Sequence, residues 1–127
     1  MHPRQVVMSV PEVLQEAEQL DGVMVCVRGM LVVPAQGAYL VHLAESVEGS
    51  IAQVWQSADR LELEEPNLVD RLYAGVPAYG GGPLIYRDAA LVVGRLVRRP
   101  NEGPFLTEIT GLTVVRQGTR YDVRFDR

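Results

Sequence analysis

The chain has 127 residues, of which 47% are hydrophobic and 22% charged. This length suits one domain around one core, and the composition is typical of a soluble globular protein and not of a disordered chain. The net charge is −4 and all twelve basic side chains are arginine. An acidic balance argues against general nucleic-acid binding, because phosphate contacts supply most non-specific affinity.

The cysteine content excludes two structural devices. Cys26 is the single cysteine, so the chain forms no internal disulfide and no multi-cysteine metal cage. Cys26 stands in an apolar run and is predicted to be a small buried hydrophobe. The first twenty residues lack the apolar core of a signal peptide, and no window reaches the roughly 18 apolar residues of a membrane helix. We therefore expect a cytoplasmic protein.

The first predicted element is a helix over about residues 9–20, with the sequence "SVPEVLQEAEQL". Ser9 is a suitable N-cap, and Glu12 three residues later completes a capping box. Apolar residues then recur at helical spacing, namely Val10, Val13, Leu14, Ala17 and Leu20. This pattern predicts a helix with one buried face.

Five strands are predicted after that helix. Runs rich in β-branched or alternating apolar residues cover 23–33, 38–45, 59–65, 88–99 and 105–115. A short helix over 66–76 separates the third strand from the fourth. Gly29, Gly94 and Gly111 lie inside predicted strands, where a glycine is typical of a bulge or sharp bend. Residues 116–127 are predicted to be a turn and a short extension.

The sequences of three predicted strands resemble those of a known family. "LDGVMVCVRGMLV" is similar to the opening strand of small bacterial OB-fold domains, including the group related to the tRNA-anticodon-binding OB module. "ALVVGRLVRRP" and "GPFLTEITGLTVV" resemble the last two strands of that group. The resemblance spans about residues 21–115. It implies a mainly β chain: a five-stranded OB-like Greek-key barrel over about 22–115, in one domain covering 1–127.

The resemblance leaves function open. Its motifs are structural and carry no catalytic residues, and the family includes nucleic-acid binders, sugar binders and protein-binding modules. We expect no enzyme, no cofactor and no metal. His2 and His42 lack companion ligands, His42 is expected to be a half-buried sheet residue, and the serines follow no nucleophile-elbow pattern.

Three consecutive glycines, Gly80, Gly81 and Gly82, separate Tyr79 from Tyr86. A phosphate-binding loop follows a strand, opens a helix and continues with a lysine. These glycines follow a predicted helix and lead into a strand, and the chain contains no lysine. Two interpretations stay open. The segment is a flexible return loop with both tyrosines packed over the barrel end, or a mobile lip that presents a tyrosine to a partner.

The leading functional hypothesis is a protein-binding module, either of the inhibitor or immunity type or as a subunit of a complex. Tryptophan, tyrosine and arginine are the residues that anchor protein interfaces. Trp55 and Tyr79 are the proposed apolar anchors. Arg60 and Arg87 are expected to form ion pairs with carboxylates of the partner protein. Tyr39 and Tyr86 complete this candidate surface. Self-association through a barrel edge is a variant of the hypothesis.

The alternative hypothesis is a single-stranded nucleic-acid-binding protein. Its candidate residues are Arg95, Arg98, Arg99 and Arg116. Because a short turn joins the last two predicted strands, we expect several of these to share one end of the barrel. Single-strand binders add aromatic stacking platforms to a basic groove, and Tyr39, Trp55 and Phe105 are the candidates. Glu62 and Glu64 beside Arg60 are expected to repel phosphates.

Overall fold

The computed structural model describes residues 6–34, 37–42, 60–78 and 84–125. Within these ranges, seven strands form one sheet, and three helices accompany it. The strands are β1 (Val7–Ser9), β2 (Met24–Pro34), β3 (Tyr39–Val41), β4 (Arg60–Leu63), β5 (Leu84–Arg99), β6 (Gly103–Arg116) and β7 (Thr119–Arg124). The helices are α1 (Val10–Gln15), α2 (Ala17–Leu20) and α3 (Leu68–Gly75). The prediction of a mainly β chain is confirmed.

Five of the strands close into a ring. β2 pairs with β3, β3 with β4, β6 with β5, and β5 again with β2, all antiparallel. β4 and β6 are joined by a short parallel pairing. The five ring strands are the five predicted from the sequence, and α3 lies between the third and fourth of them as predicted. Each lies close to its predicted range, and β5 begins four residues earlier.

Two further strands extend the ring. β1 pairs in parallel with β2, and β7 pairs antiparallel with β6. The predicted extension at the carboxyl end is therefore a strand, reached through a two-residue turn. Gln117 and Gly118 have φ angles of 49° and 80°, and positive φ at both positions is the requirement of the type I′ hairpin turn.

The amino-terminal helix is two short helices and not one. The capping box is confirmed: the Ser9 backbone N–H donates to Glu12 Oε1 over 3.0 Å, and the Glu12 N–H donates to Ser9 Oγ over 3.3 Å. Glu16 then adopts φ −103° and ψ 15°, which interrupts the helix between α1 and α2. Val10 and Val13 are fully buried, so one face of α1 packs on the ring.

Two glycines allow the backbone of the ring to pack closely. A Cβ atom on Gly29 would lie 2.7 Å from the Val41 carbonyl oxygen and 2.9 Å from Val10 Cγ2. Gly94 lies where the β5–β6 pairing shifts register, between Val93 and Arg95. The predicted irregularity is therefore confirmed at Gly94, whereas at Gly29 the glycine provides room between β2, β3 and α1.

Candidate functional site

Three side chains form a row across the outer face of the ring, and we call Tyr39, Glu62 and Phe105 the outer row. Tyr39 is the cross-strand partner of Glu62, and Glu62 is the partner of Phe105. Directly opposed residues on neighbouring strands project from the same face. The residues that alternate with them are buried in the core, namely Leu40, Leu61, Leu63 and Leu106. The outer row therefore faces away from the core.

An arginine lies over the first aromatic ring of the outer row. The Arg60 guanidinium carbon is 4.6 Å from the centre of the Tyr39 ring. Arg60 Nε is also 2.9 Å from Glu62 Oε1, and both side chains are close to half exposed, at 49% and 42%. The Glu62 carboxylate thus holds the Arg60 guanidinium against the aromatic ring of Tyr39, and the stack stays open to solvent.

The second aromatic ring carries the same arrangement. The Arg99 guanidinium carbon is 4.1 Å from the centre of the Phe105 ring. Arg99 Nη1 lies 3.1 Å from Glu64 Oε1 and 3.9 Å from Glu102 Oε2. Phe105 is buried beneath this arginine. Each end of the outer row therefore presents a cation–π stack with a neighbouring carboxylate. A cation–π contact at an exposed position contributes about 0.5–1 kcal/mol.

The residues predicted to bind a partner are only partly brought together. Tyr39 and Arg60 both belong to this surface. Arg87 is exposed on β5 and is the cross-strand partner of Val32, which in turn pairs with Tyr39. Trp55 and Tyr79, like the three glycines that follow Tyr79, lie outside the described residues.

Tyr86 was predicted to face a partner, and that prediction is wrong. The residue is fully buried, because β5 begins at Leu84 and directs Tyr86 into the core. Its hydroxyl donates a hydrogen bond to the Val76 carbonyl oxygen over 2.7 Å, and its ring centre is 6.1 Å from that of Tyr73. Burial raises the pKa of the phenol. Tyr86 fastens the segment after α3 to the ring.

Three of the four arginines of the nucleic-acid hypothesis share one end of the ring, and the fourth, Arg116, lies at the other end. Arg116 is the last residue of β6, at the end opposite Gly103, and forms an ion pair with Asp88. Arg95, Arg98 and Arg99 lie near the carboxyl end of β5. Each of the four has a carboxylate within 4.0 Å: Glu108 for Arg95, Glu18 for Arg98, Glu64 for Arg99 and Asp88 for Arg116. Their charge is therefore compensated within the chain.

Sequence reasoning missed the part that the acidic residues play. Glu62 and Glu64 were expected to repel phosphate, whereas in the structure they position the two stacked arginines. The signal that would have found them is cross-strand register. Alternation along β4 identifies Glu62 as outward-facing, but the sequence does not indicate that its neighbour on the far side is Phe105, 43 positions along the chain.

Other candidate chemistry is sparse in the described part of the chain. No group of three or more histidine, cysteine, aspartate or glutamate side chains converges there as a metal site would require. Cys26 is buried as predicted, and burial raises the pKa of its thiol. His42 is exposed directly after β3, and not half-buried in a strand as predicted. None of the helices in the described ranges is long and apolar enough to cross a membrane.

Compared with protein-family models, with curated proteins and with solved structures, the chain matches none.

Proposed function

We propose that this protein is a non-enzymatic binding module that docks a protein partner on the outer row and its two stacked arginines. One observation carries the proposal: two arginine–aromatic stacks, on Tyr39 and on Phe105, flank Glu62 on an outward face. Tyrosine and arginine are enriched among the residues that dominate protein interfaces, and charged groups held in place lose little entropy on binding. A partner that covers this row meets two guanidinium groups, each held above an aromatic ring, and their carboxylates in fixed positions.

We also propose that the ring is an OB-type barrel. Three features support this assignment. The element order is three strands, a helix and two strands; five strands close on themselves; and Gly94 lies at an irregularity that lets β5 coil. Such barrels bind ligands on the face of the second and third strands, which here are β3 and β4. The outer row lies across that face.

Nucleic-acid binding is the less favoured function. A single-strand binder offers unobstructed aromatic faces in a groove of unpaired cations. Here each outer-row ring is covered by an arginine, and each of those arginines contacts a carboxylate. A base would have to displace Arg60 or Arg99 before it could stack, and it would then approach Glu62.

The test is affinity capture from an extract of the source cells, with the wild-type chain and matched variants as bait. The outer-row variant carries Arg60→Ala and Arg99→Ala. The control is Arg120→Ala, because Arg120 also pairs with a carboxylate, Asp122, over 3.1 Å but lies on β7. Circular dichroism confirms that each bait is folded.

The proposal predicts that proteins retained by wild type and by Arg120→Ala are lost from the outer-row variant, and that nuclease treatment does not change this. Equal retention by all three baits would overturn the assignment of the surface. Retention that disappears with nuclease would support the nucleic-acid alternative instead.

A further inference from the structure

Strand β7 is a free edge of the sheet. It pairs with β6 along its whole length, from Thr119 opposite Arg116 to Arg124 opposite Gly111. In the part of the chain that the structure describes, β7 has no other partner strand, and no loop forms a hydrogen bond with its backbone. β1 also has one partner strand but only three residues. β7, with six residues, is therefore the longer free edge in these ranges.

The hairpin register decides which backbone groups of β7 are free. Arg116 and Thr119 flank the two-residue turn, and in such a hairpin this pair exchanges both of its backbone hydrogen bonds. Hydrogen-bonded and non-hydrogen-bonded pairs alternate from there, so Arg120, Asp122 and Arg124 occupy the non-hydrogen-bonded positions. Their N–H and C=O groups point away from β6. The free edge therefore offers backbone donors and acceptors at every second residue.

β7 lacks most of the features that keep sheet edges apart. Natural edges are protected by proline, lysine, a bulge or a very short strand. The sequence of β7, "TRYDVR", contains neither proline nor lysine, and its pairing with β6 has no register shift. Its exposed charges, on Arg120, Asp122 and Arg124, alternate in sign. Such a pattern repels in some registers and attracts in others, so it selects a register and does not prevent pairing.

The charge pattern of β7 is complementary to itself. Two β7 strands related by a two-fold axis run antiparallel, and the axis passes through one residue of the strand. An axis through Asp122 would place two aspartates opposite each other and Arg120 opposite Arg124, and like charges in direct opposition destabilise a sheet. An axis through Tyr121 places Asp122 opposite Arg120 of the second copy, and an axis through Val123 places it opposite Arg124 of the second copy. In both registers the opposed residues are those with free backbone groups, so each pair exchanges two hydrogen bonds.

The Asp122 carboxylate has an oxygen to spare for such a pairing. Thr113 Oγ1 donates to Asp122 Oδ1 over 2.9 Å, and Arg120 Nε donates to the same oxygen over 3.1 Å. Within the described ranges, both contacts thus use Oδ1, which leaves Oδ2 for an arginine of another chain. The side chains of Arg120 and Asp122 are 70% and 59% exposed, so a second copy reaches them without rearrangement.

We propose that two copies of this chain associate edge to edge through β7, with Asp122 of each copy opposite an arginine of the other. The sheet then continues from one copy into the next. The outer row stays clear of this junction, since Phe105 lies where β6 pairs with β4 and β7 pairs with residues 111–116. The inference therefore does not depend on the proposed function. One short strand from each copy makes a small interface, and we expect a dissociation constant of about 10–100 µM.

The test is sedimentation velocity of the wild-type chain and matched variants, from roughly 5 µM to 1 mM. Asp122→Arg makes all three outward charges of β7 positive, and the double variant Arg120→Asp with Arg124→Asp makes all three negative. Glu18→Arg is the control, because it changes the net charge as Asp122→Arg does, at a position 80% exposed on α2. Circular dichroism confirms that each variant is folded.

The proposal predicts that the wild-type chain and Glu18→Arg dimerise with equal affinity. Each edge variant alone should dimerise at least tenfold more weakly, and an equimolar mixture of the two edge variants should form a heterodimer. A wild-type chain that stays monomeric at 1 mM would overturn the proposal. So would edge variants that dimerise as the wild type does, or a mixture that forms no heterodimer.

A second measurement needs no substitution. Amide hydrogen exchange of the wild-type chain should slow at Arg120 and Asp122 as the protein concentration rises, because the second copy accepts hydrogen bonds from these N–H groups. The amide of Asp70 on α3 should exchange at the same rate throughout. Slowing confined to other segments would mean that the copies meet through another surface, and would contradict the assignment to β7.

Discussion

Arg116 and Asp88 form a two-point ion pair at the end of the ring opposite the β5–β6 turn. Arg116 Nε lies 2.8 Å from Asp88 Oδ1, and Nη2 lies 2.8 Å from Oδ2. The Asp88 side chain is 2% exposed and that of Arg116 is 16% exposed. Arg116 Nη1 also donates to the Pro77 carbonyl oxygen over 2.7 Å. One guanidinium thus joins β5, β6 and the segment after α3.

Replacing Asp88 is therefore expected to be costly. Asp88→Asn removes the negative charge and one acceptor while the Arg116 guanidinium stays largely buried. Breaking a buried pair from one side typically costs about 3–5 kcal/mol, and we expect a loss of that order in the free energy of unfolding. Urea denaturation followed by circular dichroism measures it.

Asp122→Asn is the matched control for that change. Asp122 pairs with Arg120 over 3.1 Å, but both side chains are more than half exposed. Exposed pairs contribute little because solvent screens them. If the two variants unfold at the same urea concentration, the Arg116–Asp88 pair does not hold this end of the ring together.

Tyr86→Phe separates a core role from a partner-binding role. The substitution deletes only the hydroxyl that donates to Val76, and leaves that buried carbonyl without this donor. We expect the free energy of unfolding to fall by about 1–2 kcal/mol and the captured partner to be retained unchanged. Thermal denaturation and affinity capture on the same samples provide both readouts. If Tyr86→Phe keeps its stability but no longer captures the partner, Tyr86 belongs to the binding surface.

Gly29→Ala tests the close packing of β2, β3 and α1. The added methyl group would meet the Val41 carbonyl oxygen, which is backbone and cannot rotate away. Overpacking of this kind costs about 1–3 kcal/mol. Gly111→Ala is the control, because the nearest atoms there are 3.9 Å away, at Val93. Urea denaturation measures both variants. If Gly29→Ala unfolds at a urea concentration no lower than Gly111→Ala does, the described packing is contradicted.

The compensation of Arg95, Arg98 and Arg99 by carboxylates predicts weak interaction with nucleic acid. Labelled mixed-sequence single-stranded DNA and RNA, titrated by anisotropy at low salt, should give no saturable binding. Low salt gives an electrostatic interaction its best chance, since affinity falls steeply as salt rises. Micromolar binding that is lost on salt addition, and reduced by Arg98→Gln with Arg99→Gln, would argue for the alternative function.

Much of the fold was predictable because local signals agreed with it. Ser9 and Glu12 mark the first helix by capping chemistry, and the alternation of Leu61 and Leu63 with charged residues marks β4. β1 was missed because Val7–Ser9 has only three residues and depends on β2 for its pairing. β7 was missed because the Gln117–Gly118 turn was interpreted as the start of an extension.

The site was less predictable because it depends on long-range register. Tyr39 and Arg60 were identified from residue type alone. Glu62 meets Tyr39 through the antiparallel pairing of β3 with β4, and Arg99 covers Phe105 within the β5–β6 hairpin. Only the parallel pairing of β4 with β6 brings the two stacks into one row, and no local pattern encodes that pairing. Tyr86 was misassigned because its proximity to three glycines indicated a loop, although the strand already begins at Leu84.

The central claim is that the outer row contacts a protein, and site-specific photo-crosslinking in the source cells tests it most directly. A benzophenone-bearing amino acid replaces Glu62 in the middle of the row, or Asp70 on α3 as control. The account predicts an adduct at position 62 that protease removes and nuclease does not, and no such adduct at position 70. A nuclease-sensitive adduct at position 62, or equal crosslinking from both positions, would contradict it.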